Sequence, residues 1–397
     1  TPLYSSAASD VYKRQIQEHF QGVRRQRGLA VQDSGLWISA QAAAELQVPE
    51  VREAFIELLH DCGLRLTSLN GFPYGQFHEG AVKAEVYRPT WAEPQRLEYS
   101  LQLAHLLAAA LPLDCQQGVI SSVPFGYAAT WDEAQQQQAE THLRQLTAEL
   151  ASLHRSSGRK ILVCLEMEAD CVLENTDQAL AFFKHWQATD PHHGYLALCF
   201  DVCHQAVVFE DCYQSLQRLL DARVPVGKIQ LSNALICQLP FADRPRRQQV
   251  LQALGNFAEA TYLHQVKARD MAGQLLAWAD LPGALDAAEP AQGQCPELRI
   301  HFHVPLFSEQ FLLAELSGSQ QALLRTFDFL AAHPNFQPVL EVETYSWNVL
   351  PGALRPDSEQ ALLQGIAAEL QWVEGQLRQR HLLRTHSSAL EAPAHAF

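Results

Sequence analysis

Several familiar signatures are missing from this 397-residue chain. No GxGxxG or Walker A loop follows any strand-like run, which argues against a nucleotide-binding open sheet. Nine cysteines occur without a CxxC pair. Several, such as Cys164 and Cys199, sit inside apolar runs as small buried hydrophobes, so a reducing compartment is expected. Charge is sparse: 18% of residues are charged, and the net −15 is spread without a run of five like charges, which disfavours nucleic acid as a partner. Apolar stretches such as 101–113 are broken by Gln, His and Pro before the roughly 18–20 residues that a bilayer span requires. With no signal-peptide pattern either, the expectation is a soluble, cytoplasmic protein that does not insert into a membrane.

What is present is a 47% hydrophobic content, enough for a sizeable core, and a regular alternation of helical and strand-like segments. Residues 1–15 (TPLYSSAASDVYKRQ) have neither periodicity nor a targeting pattern. They read as translated adapter sequence, with a native first strand lost before Ile16. From there the pattern predicts strands at 37–41, 64–69, 118–127, 161–166, 195–201, 226–232, 299–304 and 338–343, with helices between them. Asn175 or Thr176 and Asp211 stand as helix caps. A looser stretch, 240–296, holds a helix and a hairpin around 262–279 and reads as an insertion. Residues 358–397 read as a last helix and a disordered tail. Eight strand candidates fit a (β/α)8 TIM barrel spanning 16–357. If a first strand is lost, one of the eight is extra, either 37–41 or a strand of the insertion.

Four of these runs end in metal-binding residue types: ILVCLEME, YLALCFDVCH, ELRIHFHV and PVLEVE. Parallel barrel strands are covered on both faces, so a charge ending one must lie at the mouth, be paired, or bind a cation. Glu166, Asp201 and Glu341 meet that condition, and three carboxylates at one mouth would repel unless a dication neutralised them. The alternation in RIHFHV puts His301 and His303 on one face, inward if Ile300, Phe302 and Val304 face the helices. Glu168 and Glu343 share the faces of Glu166 and Glu341, so either member of each pair could be the ligand. Two Glu, one Asp and one His suit Mn²⁺, Zn²⁺, Co²⁺ or Mg²⁺. His204 reads equally as a substrate or second-metal contact and as a helix cap. Lys228 is a candidate to polarise a carbonyl, and Gln230 faces the same way. Asn70, Tyr74 and His78 in the loop NGFPYGQFHEG, with Tyr345 and Trp347, offer a substrate wall, and a packed irregular loop is the plain alternative.

Together LEMEADCVLENTDQALAFF, FDVCHQAVVFE, HFHVPLF, LEVETYSWNVLP and LNGFPYGQFH resemble the xylose-isomerase-like TIM barrels and, among them, the EboE metabolite-traffic proteins, over nearly all of residues 30–355. The resemblance implies a metal held by Glu166, Asp201, His303 and Glu341, with His204 approaching the substrate. The histidine ligand's strand corresponds either to KIQLS, where Gln230 stands, or to HFHVP. It further implies a small-molecule metabolite, a link to secondary-metabolite precursor traffic, and membrane-associated pathway partners. The leading expectation is a metal-dependent isomerase or epimerase of a small polyhydroxylated or carbonyl compound, with Glu166 or Glu341 moving a proton. Its rivals are a non-catalytic carrier barrel and a phosphoester hydrolase, the latter disfavoured by the lack of basic patches.

Overall fold

The computed structural model describes residues 12–75, 83–240, 243–270, 272–288 and 296–383. Six parallel strands come first: β1 (Gln32–Trp37), β2 (Leu64–Asn70), β3 (Gln117–Ser122), β4 (Lys160–Glu166), β5 (Leu196–Asp201) and β6 (Val226–Leu231). Six short antiparallel strands follow: β7 (Ala234–Gln238), β8 (Val266–Arg269), β9 (Leu275–Trp278), β10 (Glu297–His303), β11 (Gln310–Phe311) and β12 (Leu313–Gly318). The chain then returns to the first sheet with β13 (Val339–Val342).

The parallel sheet runs β1-β2-β3-β4-β5-β6-β13 and curls into a nearly closed α/β barrel of the (β/α)8 kind. β13 lies in register beside β6, with Glu341 opposite Gln230. The two end strands approach closely: a Cβ added to Gly35 on β1 would lie 2.0 Å from Oε2 of Glu341 on β13. Glycine at position 35 is what lets that carboxylate pass.

Local sequence explains the elements around the sheet. The helix Glu133–Ser157 opens with a capping box between Asp132 and Gln135 and closes at Gly158, whose φ of 70° suits a residue without a Cβ. Asn175 and Asp211 cap the helices Thr176–Thr189 and Cys212–Asp221 as their sequence positions predict. Tyr12, the first described residue, is helical, its ring meets Phe55 edge-on at 5.2 Å, and Ile16 is fully buried.

One expectation is corrected. The run ELRIHFHV is not a barrel strand; it is β10, central in the second sheet, whose order is β11-β12-β7-β10-β8-β9. β10 pairs antiparallel with both β7 and β8, and β8 pairs with β9 as the expected hairpin. Between positions 304 and 320 the chain forms β11 and β12, and the next helix starts only at Gln320. A strand buried on both faces has the same apolar signature in a barrel wall as in the middle of an antiparallel sheet, so pattern alone could not separate the two. The first strand begins earlier than its predicted 37–41 run, at Gln32.

Candidate metal centre

The barrel mouth is built from strand ends, where side chains from several strands can converge. Glu166 is the last residue of β4 and Asp201 the last of β5. Glu343 follows β13 directly, and its amide nitrogen still bonds the carbonyl of Leu231 on β6. His301 and His303 arrive from β10, outside the barrel. Their common face points into the mouth while Ile300, Phe302 and Val304 pack in the core of the second sheet. The alternation was therefore read correctly although the sheet was not.

Ligand atoms of Glu166, Asp201 and Glu343 lie within 4.8 Å of one another, as do those of Asp201, His204 and His303. Each of the four groups Glu166, Asp201, His303 and Glu343 has a buried atom without a hydrogen-bond partner: Oε2, Oδ2, Nε2 and Oε2. Elsewhere the same groups are well held. Asp201 Oδ1 accepts from the His204 amide and from the Ser232 hydroxyl, both at 2.8 Å. His303 Nδ1 donates to the carbonyl of Glu343 at 2.8 Å, which directs the lone pair of Nε2 inward. Four aimed and unsatisfied donors in a buried site are the arrangement that a divalent cation completes. The residues present thus fit a cation on their own geometry.

Electrostatics agree. Burial, then repulsion from Glu343 and Asp201, holds the Glu166 carboxyl well above the usual range. Burial, then Asp201, raises Glu343 to about 8. Burial lowers His303 to about 4 and His204 to about 3, so both imidazoles are neutral at pH 7 and able to coordinate.

The remaining expected residues divide. A cavity of about 180 Å³ is lined by Glu166, Glu168, His204, His301, His303 and Glu343 together with Asn70, Trp37, Phe72, Tyr87 and Tyr345. Glu341 is not there. It lies two residues deeper on β13, its Oε1 2.7 Å from Nζ of the fully buried Lys228, and it lines a separate cavity between β1, β13 and the helix Glu359–Gln379. Lys228 also donates to Ser121 Oγ, beneath the mouth. Gln230 accepts from Cys199 Sγ at 2.9 Å in the barrel interior and does not line the mouth cavity. Tyr74 packs edge-on against Tyr99, and Trp347 donates to Glu369 and faces the second cavity. His78 falls outside the described residues.

Sequence reading did not find Trp37, Tyr87 or Gln265. Tyr87 donates to Glu168 Oε1 at 2.7 Å, and Gln265 Nε2 donates to the same oxygen at 3.1 Å. Nothing in the local pattern of Tyr87 and Gln265 marks them, because both approach the barrel from outside it, whereas Trp37 ends β1.

No protein-family model matches the chain, and no curated protein does. Among solved structures it is similar to a xylose isomerase domain protein from Planctomyces limnophilus, at 12% identity and a TM-score of 0.49, covering 91% of this chain and 93% of that one. It is also similar to the IolI protein with a bound zinc atom, at 10% identity and a TM-score of 0.47, covering 92% and 96% of the two chains. A D-allulose 3-epimerase from Methylomonas sp., solved in complex with D-allulose, matches at 10% identity and a TM-score of 0.45, over 90% and 89%. No helix among the described residues is long and apolar enough to cross a membrane.

Proposed function

We propose that the protein is a metal-dependent isomerase or epimerase of a small polyhydroxylated or carbonyl metabolite. The observation that carries this reading is the set of four unsatisfied buried atoms, on Glu166, Asp201, His303 and Glu343, residues that fall in two overlapping clusters sharing Asp201. These four residues would hold the cation. Once bound, it would neutralise the three carboxylates and polarise adjacent substrate oxygens.

The protein's own groups would do the rest. Trp37, Phe72, Tyr87 and Tyr345 shape a narrow cavity whose aromatic walls suit the C–H faces of a small ring or chain. Asn70, whose Nδ2 lies 3.5 Å from Glu343 Oε1, would orient a hydroxyl beside that carboxylate. Glu166 and Glu343 reach the cavity from strands on either side of β5 and β6, and one of them would move the substrate proton. Lys228 and Glu341, one layer down, would position these carboxylates without touching substrate. The sequence resemblance extends the proposal to a role in cytoplasmic handling of a secondary-metabolite precursor, alongside membrane-associated pathway partners.

The test is elemental analysis of purified protein, followed by a screen of aldose, ketose and cyclitol pairs with deuterium exchange at the carbon next to the carbonyl. Metal bound in wild type and lost in Glu343→Gln, together with exchange in wild type, is expected. Less than about a tenth of an equivalent of any divalent metal, with no thermal shift on adding Mn²⁺ or Zn²⁺, overturns the reading.

A further inference from the structure

Of the four residues that converge on the mouth, His303 alone does not come from the barrel. It ends β10 in the second sheet, whereas Glu343 follows β13 in the first, and no ladder among the described residues joins the two sheets. The distance between the two side chains must therefore be set by something other than strand pairing. Part of it is direct: His303 Nδ1 donates to the Glu343 carbonyl at 2.8 Å, and the Ser346 hydroxyl donates to the His303 carbonyl. These bonds hold the segment after β13 against the end of β10.

The rest is a carboxylate from a third element. Glu369, on the helix Glu359–Gln379, is buried, and three donors from the two segments converge on it. Its Oε1 accepts from the Leu306 amide at 3.1 Å, three residues beyond His303, and from the Thr344 hydroxyl at 2.7 Å, next to Glu343. That one oxygen bridges the two segments. Its Oε2 accepts from Trp347 Nε1 at 3.0 Å. A backbone amide nitrogen and an indole nitrogen can only donate, so each carboxylate oxygen faces a group that cannot accept. A side-chain amide in the same place would turn its hydrogens towards one of them. A buried carboxylate is costly unless its bonds are made, and here the bonds are spent on tying one strand end to the other. Glu369 does not line the mouth cavity; it lines the second cavity, together with Thr344 and Trp347. It stands behind the site and does not touch what enters it.

We propose that Glu369 is a positioning residue of the mouth, a clamp that fixes His303 of the second sheet against Glu343 of the barrel through Leu306, Thr344 and Trp347. The same segment carries Tyr345, whose ring centroid lies 4.5 Å from that of His303 and which walls the mouth cavity, so one carboxylate places both a metal-binding pair and part of the cavity wall. Its effect on a bound metal rests on the reading given above, whereas the clamp itself rests only on these hydrogen bonds.

Two readouts on the full chain test it. In metal-free protein carrying ¹⁵N-labelled histidine, the His303 ring signals, assigned by their loss in His303→Gln, are expected to show the hydrogen on Nδ1. Glu369→Gln should release the Nδ1 bond to Glu343 and shift the ring towards the Nε2–H tautomer, with a smaller shift in Thr344→Val, which removes one of the three donors. An unchanged His303 signal overturns the clamp, and Thr344→Val decides the matter where Glu369→Gln does not fold cooperatively. A shift of equal size in Thr147→Val, which deletes a buried hydrogen bond to Asp190 and should leave His303 as it is, overturns it too, as general loosening. In calorimetric titration with Mn²⁺, Glu369→Gln should bind about tenfold more weakly than wild type, the low end of the roughly 10- to 100-fold lost with a ligand's supporting group, and equal affinities overturn the proposal. Wild type that binds no Mn²⁺ overturns the metal reading instead, and the imidazole signal alone then decides the clamp.

Discussion

Lys228 and Glu341 form an ion pair of 2.7 Å one layer below the barrel mouth, with the lysine fully buried. This pair decides which glutamate of LEVE is free. Glu341 is neutralised from within the barrel. Each of the two glutamates keeps one oxygen without a hydrogen-bond partner, but only Glu343, with Asn70 beside its other oxygen, lines the mouth cavity.

Glu343→Gln is expected to lose metal affinity by at least about a hundredfold, because a ligand of the cation itself is replaced, whereas removing only a ligand's supporting group costs roughly 10- to 100-fold. Glu341→Gln is expected to leave the number of bound metals unchanged. Calorimetric titration of Mn²⁺ into each variant measures the contrast, and equal losses would show that the two glutamates share the site.

Breaking the ion pair from one side leaves a buried charge uncompensated, at a cost of about 3–5 kcal/mol. Lys228→Met and Glu341→Gln should each destabilise on that scale, and the double variant should recover most of the loss. Urea unfolding in a double-mutant cycle reads the coupling. Additive losses would mean that the pair contributes nothing.

Gly35→Ala places a methyl group where Glu341 Oε2 lies, 2.0 Å from the new carbon. The carboxylate is held by Lys228 and cannot simply swing away, so a loss of about 1–3 kcal/mol is expected. Combining Gly35→Ala with Glu341→Gln should cost less than the sum of the two, as measured by the same unfolding curves.

The pH dependence of the metal-free protein follows from two opposite shifts. Glu343, raised to about 8, binds a proton in the folded state that the unfolded chain has released, so its contribution is present below the ordinary carboxylate range and is lost as pH rises towards 8. His204, lowered to about 3, acts in the other sense: its contribution is present above its ordinary 6.5 and is lost as pH falls towards 3. Above 6.5 only the carboxylate trend remains, so the Tm of metal-free protein should fall between pH 6.5 and 8. A cation displaces the proton, so saturating metal should remove that fall, and apparent affinity should rise with pH across the same window, by up to about tenfold per unit for each proton released. Scanning calorimetry with and without metal checks both signs.

Tyr87→Phe removes the hydroxyl that donates to the buried Glu168 carboxylate. Burial raises Glu168 to about 7, so above that pH the acceptor is charged and the hydrogen bond is worth about 1.5–3 kcal/mol. The variant should be less stable by that order in thermal unfolding. An unchanged Tm would show that the hydroxyl contributes nothing to stability.

Much of the barrel was legible in the sequence because its determinants are local. Apolar runs ended by carboxylates marked β4 and β5, cap residues marked the helices, and the period of two in RIHFHV placed both histidines on one face. Those signals need no knowledge of neighbours. They singled out Glu166, Asp201 and His303 as candidates, and Asp201 lies within 4.8 Å of each of the other two.

The rest depended on partners distant in the chain. Glu341 and Glu343 are equivalent by alternation, and only the reach of Lys228 from β6 separates them. β10 carries a barrel-like pattern, yet β7 and β8 claim both its edges. Tyr87 and Gln265 reach Glu168 from segments with no motif of their own. By itself the sequence determined which strand ends bear metal-binding groups and which faces those groups share, because both follow from residue type and backbone period. Only the tertiary structure decided which of those groups meet, which are neutralised on the way, and which are left with a lone pair and no partner, because hydrogen bonds and ion pairs between distant segments are set by the packing of sheets, not by any local pattern.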